Sequence, residues 1–297
     1  MAPLKKVTIS THTTQSNTQA HHVDIHRTNN KATINDASTQ RQLLSLAKQF
    51  SLEGGLLPKE RQLPIVERIE LYQQASDIRR QENLEAIIKL AMEFSSDDEV
   101  SNKAEADWFN YFISFAENVS NPVMQGLWAK ILVGEIARPG SYSCKTLETF
   151  KNMSVNDAKL FAKLCSLAVK DKNSNNRRLI SSVYQKPNLL AIFTGKNAYR
   201  IDFSEYGLNY SDLLALAENN ILFLQEAETR SIAKNDAYQF IYNGSPLTLA
   251  YKQKDVTLTF YKFTAVGNEL AQLIKDSPVK NFLHHLKHQL GRLYKVS

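Results

Sequence analysis

Residues 125–143, "QGLWAKILVGEIARPGSYS", place Trp128, Ile131, Leu132 and Ile136 on a helical spacing and then stop at Arg138-Pro139-Gly140. Proline cannot continue a helix and pushes the residue before it out of the α region, while glycine frees the backbone to turn. The stretch is therefore the end of an apolar helix followed by a sharp reversal. Glu135 sits among the apolar residues, and its reading, as chemistry or as architecture, sets how the rest of the chain is understood.

Upstream, Asn121 is placed to cap this helix and Pro122 to take its first position. Before it, "KAEADWFNYFISFAENVS" directs Trp108, Phe109, Phe112, Ile113 and Phe115 into a core. The segment from Ile65 to Phe94 contains no Gly or Pro and is dense in strong helix formers. It carries Ile65, Ile69 and Tyr72, and later Leu84, Ile87, Ile88, Ala91 and Met92, on one side. Downstream, Ser143 opens a short helix through Leu147 and Phe150, and "SVND" at 154–157 has the form of a capping box before "AKLFAKLCSLAVK". Residues 65–170 thus read as an antiparallel helical bundle with short connections.

At "KNSNNRR" the composition turns polar, which marks a domain boundary near residue 171. Beyond it, β-like runs at "NLLAIFTG", "AYRIDF", "YQFIYNG", "PLTLAYK" and "VTLTFYKFT" alternate with helices at "YSDLLALAENN" and "GNELAQLI". Asn243-Gly244 is a hairpin signal. The fold class expected is mainly α with an α+β C-terminal part, an antiparallel helical bundle followed by a winged-helix-like module over 171–297. Residues 1–36, rich in Thr, Asn, Gln, Ser and His, read as a disordered polar tail, and 37–64 as a short helix and linker.

The 297-residue chain is 43% hydrophobic and 22% charged, with a formal charge of +6, enough for two ordinary domains. No run approaches the roughly 18 to 20 apolar residues that cross a bilayer, and the start has no apolar leader. A cytoplasmic protein without membrane contact is expected. Cys144 and Cys165 are expected to be reduced core thiols, since two cysteines make neither a disulfide framework nor a zinc site.

The stretch from Asp107 to Phe161 resembles an uncharacterised bacterial family found in marine gammaproteobacteria, through Trp128-Ala129-Lys130-Ile131-Leu132, Gly134-Glu135, Pro139-Gly140, Ser143 and Asp157-Ala158. "YGLNYSDLLALAENNILFL" and "FTAVGNEL" look like its second half, so the likeness spans about 65–290. The resemblance implies a fold organisation and no established activity or catalytic residues. The W-A-K-x-L-x-x-E helix is also loosely similar to helical phage-abortive-infection proteins, which supports a defence role by analogy alone.

Weighed as chemistry, Glu135 would need a partner such as Glu117 or Asp157. Weighed as architecture, it would meet Lys130 or Arg138, or accept backbone amides where the chain turns. The absence of His, Cys or ligand spacing around it favours architecture. Trp128, Lys130, Glu135, Pro139, Gly140, Ser143 and Asp157 are accordingly read as a structural motif, with no catalytic residue assigned. "EGG" at 53–55 and "TGK" at 194–196 lack the phosphate-loop spacing. His284 and His288, four apart, lack a third ligand, so neither metal nor cofactor is expected.

The basic C-terminal segment leaves one further class open. Phe282, Leu283, Leu286, Leu290 and Leu293 form an apolar stripe that docks on the body. Lys280, Lys287, Arg292 and Lys295, with Lys252 and Lys254 of a candidate wing, are the possible nucleic-acid contacts. Against base reading, "SDLLALAENN" carries Asp212 and Glu218 and no cation. The expected function is a non-catalytic interaction or scaffold protein with an unknown protein partner. The alternative is a nucleic-acid-binding regulator or phage-defence component.

Overall fold

The computed structural model describes residues 29–95, 105–174, 176–186 and 198–297, with side chains from 38 onward. The expected tail up to residue 28, with its histidines, lies outside the described residues, as do the helix break at 96–100 and the "NLLAIFTG" run with its Thr194 to Lys196 segment. The chain divides into two units, one up to Ser76 and one from Asp77.

In the first unit, α1 spans Asn29–Gln49, and the chain leaves it through Ser51 at φ 54. Single 3-10 turns follow at Glu53–Leu56 and Lys59–Arg61, before α2, Ile65–Phe94, begins. Gly54 and Gly55 are packed on the Arg68 side chain, whose Cδ would lie 2.9 Å from a Cβ at Gly54. Gln62 Nε2 ties this turn by donating to the carbonyl of Leu57 at 2.7 Å. No residue from 38 to 76 is buried.

The second unit begins inside α2, of which only Asn83, Ile87 and Ala91 are buried. Of the expected apolar side only Ile87 and Ala91 are buried, while Ile88 and Met92 stay exposed in the later half. Ile65, Ile69 and Tyr72 face outward, because a continuous helix turns a fixed face while cover is available only on its later turns. Helices α3 (Ala106–Ala116), α4 (Pro122–Ala137), α5 (Cys144–Lys151) and α6 (Val155–Leu167) follow. Asn121 Oδ1 accepts the amides of Val123 and Met124 at 3.0 and 3.2 Å. Ser154 and Asp157 exchange the two bonds of a capping box.

At Ala168, ψ 151 turns the chain out of α6 into β1 (Val169–Asp171), so the helix ends sooner than "AKLCSLAVK" suggests. Then come β2 (Arg177–Gln185), β3 (Ala198–Arg200), α7 (Tyr210–Glu218), β4 (Ala227–Glu228), β5 (Ala237–Tyr242), β6 (Ser245–Ala250), β7 (Val256–Lys262), α8 (Ala265–Leu270), α9 (Phe282–Gly291) and β8 (Lys295–Val296). All pairings among the described strands are antiparallel, in the order β4-β7-β2-β1-β5-β6-β8, with β3 also on β2.

The hairpin at Asn243-Gly244 has both residues at positive φ, 43° and 83°, as a two-residue primed turn requires. Sequence reading missed the short strands β1, β4 and β8 and the long β2, which pairs with β1, β3 and β7. The register of β2 on β7 shifts between Ile180 and Ser182, where Ser181 is the extra residue of a bulge. The class is mixed α/β, and the sheet is larger than the wing of a small winged-helix module. Apolar residues of the helices and of the sheet share one core, from Ile87 through Trp128, Leu164 and Leu179 to Leu258 and Leu290.

Candidate functional site

The turn after α4 is held from three directions. Arg138 leaves the helix at φ −145, and Gly140 adopts φ 84. Glu135, buried at 3% exposure, reaches forward: Oε1 accepts the Gly140 amide at 2.6 Å and Oε2 the Tyr142 amide at 2.9 Å. A carboxylate in this position satisfies donors that the reversal would otherwise strand. Trp108 Nε1 donates to the Tyr142 carbonyl at 2.7 Å. From α8, Glu269 Oε2 accepts the Ser143 amide at 2.7 Å, Ser143 Oγ at 3.0 Å and Thr146 Oγ1 at 2.5 Å, so a second carboxylate sits at the start of α5.

The remaining motif residues lie around this turn. Trp128 is buried, edge-on to Phe112 at 5.3 Å and tilted over Phe150 at 5.2 Å. Ser143 Oγ accepts the Thr146 amide at 3.3 Å, and Asp157 Oδ2 accepts the Ser154 amide at 2.8 Å. Pro139 is exposed. Glu117 lies 3.7 Å from Arg80, so Glu117, Glu135 and Asp157 each serve a separate partner. Burial pushes the Tyr142 hydroxyl up to about 12; Arg138 opposes this, and Glu135 and Glu269 add to it.

Beside the turn lies a groove of about 540 Å³ whose wall includes Lys130, Arg138, Lys275, Tyr142, Gln272 and Phe94. Lys130 Nζ stands 5.7 Å over the Phe94 ring. Sequence reasoning singled out Lys130 here and missed Phe94, Gln272 and Lys275, which come from distant segments with no motif to mark them. Glu269 was missed for the same reason.

The C-terminal cations are spread over different settings. Lys252 Nζ donates to the carbonyls of Gly291 and Arg292 at 2.7 and 3.1 Å, closing the C-terminal end of α9. Arg292 stacks 4.7 Å over Tyr199. Lys254, Lys280 and Lys295 are exposed, and Lys287 is half-buried. Phe282, Leu286, Leu290 and Leu293 are buried, while His284 and His288 face outward. His285, which the sequence did not distinguish, meets Tyr206 Oη through Nδ1 at 3.0 Å. Among the described residues no group of three His, Cys, Asp or Glu is placed to hold a metal ion. Nor is any described helix long and apolar enough to cross a membrane. Cys165 is buried but Cys144 is exposed, correcting the expectation of two core thiols: Cys144 follows the Ser143 cap on the open side of α5.

Residues 67–287 match the family described as protein of unknown function (DUF2806), and the chain belongs to that family. No curated protein and no solved structure matches it.

Proposed function

We propose that this family member is a non-catalytic interaction protein that receives an amphipathic helix of a protein partner. The observation that carries the reading is the segment 38–76, helical over much of its length and without one buried residue. It leaves Leu43, Leu46, Leu56, Ile65 and Val66 between 52% and 65% exposed. Short helices derive most of their stability from packing an apolar face, and an apolar surface of this extent marks an interaction site. Separately, in the second unit, Leu84, Ile88, Met92, Phe109 and Ile113 line an apolar groove of about 420 Å³ between α2 and α3, a shape suited to a helix.

The test is photo-crosslinking in cells from position 46 of the full chain, followed by binding of the captured partner's helical segment in purified form. Micromolar binding weakened at least tenfold, about 1.4 kcal/mol, by Leu43→Ser with Leu46→Ser supports the reading. Binding indifferent to those changes refutes it.

A second reading, nucleic-acid binding in regulation or phage defence through the winged-helix-like module, is favoured by the outward Lys254, Lys280 and Lys295. In α7, however, Asp212 Oδ2 accepts the Asn209 amide at 2.7 Å, an acid at the start of the helix that would face bases. Fluorescence anisotropy with mixed-sequence DNA and RNA over a salt series tests it, using Lys254→Glu, Lys280→Glu and Lys295→Glu together. Deleting α9 is unsuitable, because Phe282, Leu286 and Leu290 belong to the core.

A further inference from the structure

We infer that the groove beside the α4 turn binds a phosphate-bearing small molecule, a site independent of the protein-interaction reading. Three cations reach it from two segments: Lys130 and Arg138 from α4 and its end, and Lys275 from the chain after Leu273. Among the described residues none of the three has a carboxylate within salt-bridge distance. Like charges brought to one hollow repel, and an anion of high charge density relieves that repulsion.

The neighbouring acids do not compensate the cations directly. Both Glu135 oxygens accept turn amides, and Glu269 Oε2 is taken by Ser143 and Thr146. Among the described residues no carboxylate belongs to the wall of the groove. Gln272 bridges the wall, its Oε1 accepting from Arg138 Nη2 and its Nε2 donating to the Ser141 carbonyl, both at 3.5 Å, and the Tyr142 hydroxyl, kept protonated well above neutral pH by burial, is a neutral donor. Phe94, 44% exposed, offers an aromatic face for a base or other apolar body. At about 540 Å³ the groove falls in the range of small-molecule sites, roughly 300 to 1,000 Å³. Lys130 is the one cation of the motif, and its side chain takes no part in holding the turn. Its place over Phe94 puts its charge at the groove instead.

Cations near the end of a helix also offset its dipole, and the experiment separates the two roles. Full-length protein is titrated calorimetrically with ADP, pyrophosphate and adenosine, beside Lys130→Glu/Lys275→Glu. ADP is expected to bind in the range of about 10 to 100 μM, with adenosine at least tenfold weaker and affinity falling as salt rises. The double variant should lose at least tenfold while melting at the wild-type temperature in the absence of ligand. Pyrophosphate matching ADP, with the same loss, supports a site for the phosphate alone; ADP exceeding pyrophosphate supports a nucleotide. If the double variant fails to fold, Lys275→Gln, an exposed position, is expected to weaken ADP about threefold. No heat with either phosphate at about 1 mM, or binding unchanged by the substitutions, overturns the inference. Early melting of the double variant with no phosphate ligand bound by wild type assigns the cations to the helix end and overturns it equally.

Discussion

A Cβ on Gly134 would lie 2.8 Å from Cε2 of Tyr142 and 3.3 Å from its hydroxyl. The ring has little room to retreat, since it is buried and the backbone on either side is fixed by Glu135 and Trp108. Gly134→Ala should destabilise by about 1–3 kcal/mol, seen as a lower melting temperature. The same change in a Tyr142→Leu background should cost less, and the shortfall from additivity measures the contact.

Gly267 presents a harder case. Its Cβ would stand 2.1 Å from the Ile221 carbonyl oxygen, a backbone atom that Thr264 Oγ1 and the Thr264 amide also engage. Gly267→Ala should cost on the order of 3 kcal/mol or more and yield largely insoluble protein. Around Gly126, in the middle of α4, no described atom outside its own stretch of helix would lie within 4 Å of a Cβ. There Gly126→Ala should stabilise by about 0.5–1 kcal/mol in denaturant melts, so the pair tests close approach against helix propensity.

Glu135→Gln keeps the shape of the side chain but replaces one acceptor by an NH₂ facing an amide donor. Leaving a buried amide unpaired costs about 1–3 kcal/mol, which urea denaturation should report. Unchanged stability would show that the turn does not depend on that carboxylate.

The two thiols should separate in reactivity. Cys144 is exposed, whereas burial pushes the Cys165 thiol from 9.0 up to about 12. Ellman's reagent should count one thiol in folded protein at pH 8 and two in guanidinium. The same shift bears on alkaline stability: between pH 9 and 12 the unfolded chain releases the Cys165 proton while the folded chain retains it. Stability therefore falls as pH rises through that window, and is unaffected by this group below it. Cys165→Ala should flatten the fall in melting temperature across pH 9–11, at a separate cost from the cavity.

The helices were legible because their signals are local. Asn121-Pro122, the Ser154–Asp157 box and the apolar stripe of α9 each lie within a few residues. β2 was not, because its middle is polar yet covered: Ser181 and Ser182 both share hydrogen bonds with Thr259 Oγ1, at 2.9 and 2.6 Å. Hydroxyls satisfied across strands hide a buried strand from any hydropathy pattern. β1 was concealed differently, as the tail of an apolar run that α6 and a strand share. Of the site, Glu135 and Lys130 were visible within one segment. Glu269, Gln272 and Lys275 reach the same turn from more than 120 residues away, a separation no spacing rule spans.

The pairing of β8 with β6 has a temporal side. Synthesis runs from the N-terminus, so β6 emerges before the residues that complete its outer edge and before Phe282, Leu286 and Leu290, which fill part of the common core. During that interval the nascent chain presents an open strand and an unfinished interior, the features that invite wrong pairing between neighbouring chains on one message. The stretch from α9 to β8 thus closes the fold after the sheet's other strands have emerged, and the yield of correctly folded protein should respond to chaperone supply.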